Sequence, residues 1–152
     1  MTDEPDLAAT ARAVIDGNRF MTLATADGSG GPWASPVWYA PRDYREFLWV
    51  SDPEAKHSLN LVERPRVGIV IFDSHETGTF RSVYMSGLAE ELTGTELEQG
   101  IEAFSARSVE QGFGVWTLPD VQSPARRRLY RATASEHWVL GPQDRRLRVS
   151  FG

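Results

Sequence analysis

Between residues 49 and 61 the chain reads Trp-Val-Ser-Asp-Pro-Glu-Ala-Lys-His-Ser-Leu-Asn-Leu. An apolar strand ending at Val50 and Ser51 runs into a helix start. Asp52 caps it with Pro53 at the first helical position, or Ser51 caps it with Glu54 three residues on. The free N–H groups and positive dipole end of such a helix attract an anion. Lys56 and Asn60 fall one turn apart on one face, with His57 adjacent. A cation, several N–H donors and a hydroxyl at one point suit a phosphate monoester. The same residues equally describe an ordinary capped helix carrying a solvated lysine. Lys56 is the only lysine among 16 basic residues, the other 15 being arginine.

Aromatic side chains are the second chemical feature. There are 5 Trp, and Trp33 and Trp38 share one short segment. Flat indoles suit stacking on a planar cofactor, although core filling and a subunit interface use them more often. Arg126-Arg127-Arg128 is a basic run, read as a solvated face or as a groove for an anionic tail. Glu90-Glu91 points to opposite faces of a strand and is no shared-proton dyad. The three histidines, His57, His75 and His137, are far apart, and no metal site is expected from them. The chain has no cysteine, which excludes disulfides, thiolate metal sites and a Cys nucleophile and fits a reducing cytoplasm. No dinucleotide fingerprint, P-loop, zinc-protease motif or serine-hydrolase elbow is present. A net charge of −5 is wrong for nucleic acid. The acidic N-terminus is unlike a signal peptide, and the longest apolar run, Val67 to Phe72, is far too short to span a membrane.

The elements that must position these residues follow from periodicity. Leu7, Ala11 and Val14 or Ile15 predict a helix over 7–17, stopped by Gly17. Alternation from Phe20 to Ala26 predicts a strand, Asp27 to Gly31 a turn, 32–40 a returning strand and 46–50 a third. The helix after Ser51 would bury Ala55, Leu59 and Val62 and end before Pro65. Val67 to Phe72 reads as a strand covered on both faces, and 81–92 as a long strand with a bulge or close approach at Gly87. A helix over 95–107 buries Leu97, Ile101 and Phe104. Residues 108–122 are irregular, and 108–121 are expected to line a substrate pocket. Ser123-Pro124 starts a short helix; strands follow at 129–134, 136–140 and 147–151, with a turn at 142–144. One domain over 1–152 results. Tight turns without a βαβ rhythm favour a closed antiparallel barrel.

The strand at 20–26, Pro36-Val37-Trp38-Tyr39, the series Ser51, Lys56, Asn60-Leu61, Arg64-Pro65-Arg66-Val67, and Val83-Tyr84-Met85-Ser86-Gly87-Leu88-Ala89 together resemble the pyridoxamine 5'-phosphate oxidase-like, flavin-binding split-barrel family. The resemblance covers 10–92 and resumes at 136–148. It implies a mainly β fold, a six-stranded antiparallel Greek-key split barrel with short flanking helices. It also implies a homodimer with FMN at the subunit interface. Ser35, Pro36, Val37 and Trp38 would then run along the isoalloxazine ring, and Val50 and Ser51 would lie near the ribityl phosphate. Lys56, His57 and Asn60 would hold the phosphate from the helix start. Ser82 or Tyr84 would come from the facing strand and Trp138 from the other subunit. True pyridoxamine phosphate oxidases carry a His in the closing hairpin, where this chain has Asp144-Arg145-Arg146-Leu147-Arg148, so another substrate is implied.

The expected function is an FMN-dependent oxidoreductase with a small-molecule substrate, in which the cofactor carries the electrons and no side-chain acid/base pair is required. One alternative keeps the fold but uses the deazaflavin F420, whose acidic tail needs a basic groove from Arg64, Arg66 and Arg126 to Arg128. The other is a flavin- or haem-binding module without turnover, with His57, His75 or His137 as haem ligand.

Overall fold

The computed structural model describes residues 6–76 and 79–151, with the backbone alone at 75, 76 and 79. The side chain of His75, one of the histidines considered above, therefore lies outside the described set. Helix α1 spans Leu7–Gly17, as its apolar spacing requires, and the Asp6 carboxylate accepts a hydrogen bond from the Ala9 N–H at 3.1 Å. Its buried stripe is Ala11, Val14 and Ile15. Strand β1 (Phe20–Ala26) alternates as read, with Met21, Leu23 and Thr25 inward. In the following turn Asp27 accepts from the N–H groups of Ser29 and Gly31, and Gly30 adopts φ +86°, a conformation that favours glycine.

The returning strand is broken. β2 (Pro32–Trp38) pairs with β1, and β3 (Ala40–Arg42) pairs with β4 (Glu46–Ser51). The break is at Tyr39. Its N–H bonds to the Arg19 carbonyl at 3.1 Å, and its hydroxyl donates to the Ile15 carbonyl at 2.6 Å, so the chain bends around a buried ring. After helix α2 (Lys56–Glu63) come the long strands β5 (Arg66–Glu76) and β6 (Thr79–Glu91). Helix α3 (Gly94–Glu110), strand β7 (Arg128–Leu140) and strand β8 (Arg146–Val149) complete the order. The sheet order is β2-β1-β5-β6-β7-β4-β3, with β8 added to β7. Since β2 and β3 are halves of one bent segment at opposite ends of that order, the sheet curls back on itself as a split antiparallel barrel. Among the described residues there are eight strands rather than the six expected. The difference is the break at Tyr39 and the short β8.

Two apolar cores result. One fills the barrel beneath α1 around Met21, Leu23, Tyr39, Trp49, Ile71 and Val83. The other lies between α3 and the outer side of β4, with Leu48, Leu97, Ile101, Phe104, Val121 and Leu129. The strand covered on both faces is thus β4, where Phe47, Leu48 and Trp49 are all fully buried, and not Val67 to Phe72. In β5 only Val67, Ile69 and Ile71 are inward, and Phe72 is 46% exposed, because α3 packs on β4 and leaves the outer face of β5 bare.

Other expectations fail as well. α2 begins at Lys56, with Ala55 in the cap position and no side-chain cap. The Asp52 carboxylate instead accepts the Glu54 N–H at 2.9 Å, and its carbonyl accepts the Ala55 N–H, closing a turn of its own. The helix is also rotated from the expected stripe. It buries His57, Ser58, Asn60 and Leu61, while Leu59 is 54% and Val62 84% exposed. Two polar contacts set this rotation: Asn60 Nδ2 donates to Thr25 Oγ1 at 3.0 Å, and His57 meets Ser51. Nor does a helix form at Ser123-Pro124. That peptide is cis, and the ordered turn lies earlier, at Leu118–Val121, where Thr117 and Asp120 cap one another and Val121 enters the core. Finally, the two strands expected at 129–134 and 136–140 are one, β7, whose pairing with β6 slips between Ser86 and Gly87. The extra residue is Ser135 of β7, opposite Ser86 and Gly87, and Gly87 makes the close backbone approach expected of it.

Candidate functional site

Where β2 and β4 diverge, a cavity of about 730 Å³ opens. Pro36, Val37 and Trp38 line it from β2, Val50 and Ser51 from the end of β4, and His57 from the first turn of α2. The far wall comes from Phe104 and Ser108 of α3 and from the irregular residues 113–116, with Phe20, Asp120 and Arg127 at the margins.

The far wall is tied to β2 through Trp38. Its indole N–H donates to Gln111 Oε1 at 2.8 Å, and its ring meets Phe104 and Phe113 edge-on at 5.0 and 5.9 Å. Phe104 in turn meets Trp116 edge-on at 5.4 Å. The irregular segment is held by α3: Ser108 Oγ donates to the Gly114 carbonyl at 2.7 Å, and the Trp116 N–H donates to Ser105 Oγ at 2.9 Å. Four aromatic rings therefore form one side of the cavity.

The opposite corner is polar. Ser51 Oγ and His57 Nε2 are 2.8 Å apart, and His57 is 8% exposed. Burial holds the His57 pKa below its ordinary value, so the imidazole is neutral near pH 7. His137, far from this corner, is held down for the same reason, and its Nε2 donates to the Tyr44 carbonyl at 2.7 Å. Both histidines are neutral in the fold and more readily protonated once unfolded. Stability from this source is full above the ordinary histidine value of about 6.5 and is lost as pH falls below it. We expect the melting temperature to drop as pH falls below about 6.5, and His137→Gln to flatten part of that slope in a pH series of thermal melts. A melting temperature independent of pH below that value would contradict it.

The site residues read from the sequence divide into three groups. Pro36, Val37, Trp38, Val50, Ser51 and His57 are brought together around the cavity. Ser35, Lys56 and Asn60 stand beside it without lining it. Ser35 is paired with Leu23, and Asn60 ties α2 to Thr25. Lys56 Nζ lies 4.0 Å from Asp27 Oδ2 and 5.9 Å from the centre of the Trp33 ring. Ser82, Tyr84 and Trp138 belong to another surface. Cross-strand pairing aligns Pro36, Thr22, Val70, Tyr84 and Trp138 in one row across the outer face of the sheet, and Ser82 is buried opposite Phe72. Pro36 belongs to both, so the cavity's edge continues into that face.

Phe20, Phe104 and Arg127 were missed as lining residues. Phe20 read only as the first residue of a strand, Phe104 as part of a buried helix stripe, and Arg127 as one member of a run that suited a solvated face or a groove for an anionic tail. From the segment 108–121, expected at a substrate pocket, Ser108, Phe113 to Trp116 and Asp120 line the cavity. Among the described residues no cluster of His, Asp or Glu could hold a metal ion, and no helix is long and apolar enough to cross a membrane.

The comparisons agree with this architecture. A "Pyridoxine/pyridoxamine 5'-phosphate oxidase" of Polynucleobacter asymbioticus is 33% identical over 99 residues, covering 65% of this chain and 44% of that protein. The chain thus spans less than half the length of this curated relative. Among solved structures, a haem-binding protein from Mycobacterium smegmatis superposes with a TM-score of 0.74 at 24% identity, over 97% of this chain and 59% of that one. A protein from Clostridium acetobutylicum related to general stress protein 26, of the pyridoxine-phosphate oxidase family, gives 0.68 at 10% identity over 95% and 94% of the two chains. The two structures share the fold. The pattern of the pyridoxamine 5'-phosphate oxidase family itself matches residues 7–140, from the start of α1 to the end of β7. With the split barrel and the continuous match in hand, the chain belongs to the pyridoxamine 5'-phosphate oxidase family.

Proposed function

We propose that the protein is an FMN-dependent oxidoreductase, a single split-barrel domain acting in the cytoplasm as a homodimer, on a small molecule other than a vitamin B6 phosphate. The observation that carries this reading is the cavity's two-sided chemistry: an apolar, aromatic-rimmed space of about 730 Å³ ending in the Ser51–His57 pair. A flat ring with a polar, anionic tail needs that combination, and the space is ample for it. When bound, the flavin supplies the electron-transfer chemistry. The chain's residues do the rest. Pro36 to Trp38 flank the ring with Ser35 behind them, Val50 covers the sugar-alcohol chain, and Ser51 and His57 offer hydrogen bonds to the phosphate. Lys56 and Asn60 steady α2 beside them.

A second copy fits the outer face of β5 and β6. Phe72 and Phe80, 46% and 56% exposed, leave an apolar surface there. The row from Pro36 to Trp138 leads from the cavity onto that surface, so Tyr84 and Trp138 would reach the partner's cofactor, while Ser82 is buried opposite Phe72. FMN is favoured over F420 because three of the five groove arginines are engaged: Arg64 donates to the Gly28 carbonyl at 2.9 Å, Arg126 pairs with Asp52 at 2.9 Å, and Arg128 donates to the Ala125 carbonyl. Haem is the second reading. It is favoured by the one described imidazole that lines the cavity, His57, and by the haem-binding description of the Mycobacterium smegmatis neighbour.

The absorption spectrum of the purified protein, followed by calorimetric titration with FMN, F420 and haemin, separates the three. We expect flavin bands near those of free FMN and an FMN affinity at least tenfold above F420. An intense haem band that survives purification, with no flavin uptake, would overturn the FMN reading.

A further inference from the structure

Of the charged groups on the cavity lining, Asp120 and Arg127, only one is committed. Asp120 Oδ2 accepts both the N–H and the hydroxyl of Thr117, at 2.8 and 3.0 Å. Arg127 forms no ion pair among the described residues, whereas its neighbour Arg126 is held by Asp52 and approaches Glu54. The Arg127 guanidinium rests over the Trp116 ring, 5.8 Å from its centre, with its donors unspent.

Its place along the chain matters as much as its freedom. Ser51 is paired with Arg128 at the first residue of β7, so Arg127 stands one residue beyond the polar corner. The serine, the neutral imidazole and the free guanidinium all border the same cavity. Lys56, by contrast, is turned toward Asp27 and Trp33 and does not border it.

We propose that Arg127 supplies the positive charge of the cavity's anion subsite and so makes the protein select phosphate-bearing ligands over their uncharged counterparts. The planar fork of a guanidinium can take two phosphate oxygens at once, while Ser51 and His57 hold the remaining oxygen. Trp116 keeps the fork in place when the site is empty of anion. This proposal rests on the flavin reading above.

FMN and riboflavin differ only by the phosphate, so their ratio of affinities isolates the subsite. Calorimetry with both flavins would compare the unaltered protein, Arg127→Gln, Arg127→Lys, Arg126→Gln and Lys56→Gln. We expect Arg127→Gln to weaken FMN about ten- to a hundredfold with riboflavin unchanged. Arg127→Lys should recover part of the preference, Arg126→Gln none of the loss, and Lys56→Gln less than about tenfold of it. Arg127 is exposed, so none of its variants removes core packing. A full FMN preference retained by Arg127→Gln would overturn the proposal and leave the flavin reading standing. An unaltered protein that binds neither flavin would overturn the flavin reading and this proposal with it.

Discussion

Trp38→Ala is expected to weaken FMN binding about a hundredfold, roughly 2.7 kcal/mol, and to lower stability by about 3 kcal/mol. Trp38 is the tie between β2 and the far wall of the cavity. Its removal frees Gln111 of its indole partner and deprives Phe104 and Phe113 of their edge-on neighbour. Phe113 then loses the aromatic support that Trp38 gives it from the barrel side. The binding and stability losses have different origins, and Trp38→Phe separates them. A phenyl ring keeps the contacts with Phe104 and Phe113 but not the hydrogen bond to Gln111. It should restore most of the stability and about half of the binding energy. Equal FMN affinity in the unaltered protein and in Trp38→Ala would show that the ring does not sit against this wall.

Gly87→Ala is expected to lower stability by about 3 kcal/mol, which for a domain of this size is roughly a 6–12 °C fall in melting temperature. A Cβ there would stand 2.1 Å from the Thr133 carbonyl oxygen, 2.8 Å from its carbon and 2.9 Å from the Ala134 Cα. All three are backbone atoms in the paired strand, so no side chain can swing aside. The bulge at Ser135 of β7, opposite Ser86 and Gly87, brings β6 and β7 close at this point. Gly17→Ala makes the matched control, since a Cβ at Gly17 meets nothing within 4 Å. It should melt at or slightly above the unaltered temperature. Equal melting temperatures for Gly87→Ala and Gly17→Ala would mean that the two strands are further apart than described.

These two residues also mark what the sequence revealed and what it hid. Gly87 was readable because a glycine inside a long alternating strand has few other uses. α1 and β1 were readable to the residue, since a single buried face and clear stop signals specify each. α2 was not. Ser51, Asp52 and Pro53 satisfy every local rule for a helix start, yet Asp52 spends its carboxylate on a tight turn of its own. The rotation of α2 then follows from partners distant in the chain, Thr25 and Ser51. Leu59 and Val62 look like core residues at helical spacing and stand exposed. No periodicity argument could anticipate that, because the deciding bonds are tertiary.

The cavity shows the same division. Its near side, Pro36 to Trp38 and Val50 to Ser51, comes from regular strands and was placed through the family resemblance. Its far side is built by an irregular segment folded back on α3 through Ser105 and Ser108. Such a loop has no repeat to read. Arg127 was hidden because three successive arginines look alike in sequence, while in the fold one pairs with Asp52, one starts β7 and one borders the cavity.

The central claim is that a flavin occupies the space between β2, the end of β4 and the aromatic wall. A crystal structure of the protein saturated with FMN tests it most directly. We predict the ring beside Pro36, Val37 and Trp38 and the phosphate within hydrogen-bond reach of Ser51, His57 and Arg127. Flavin density at any other place, with the cavity still open, would contradict it.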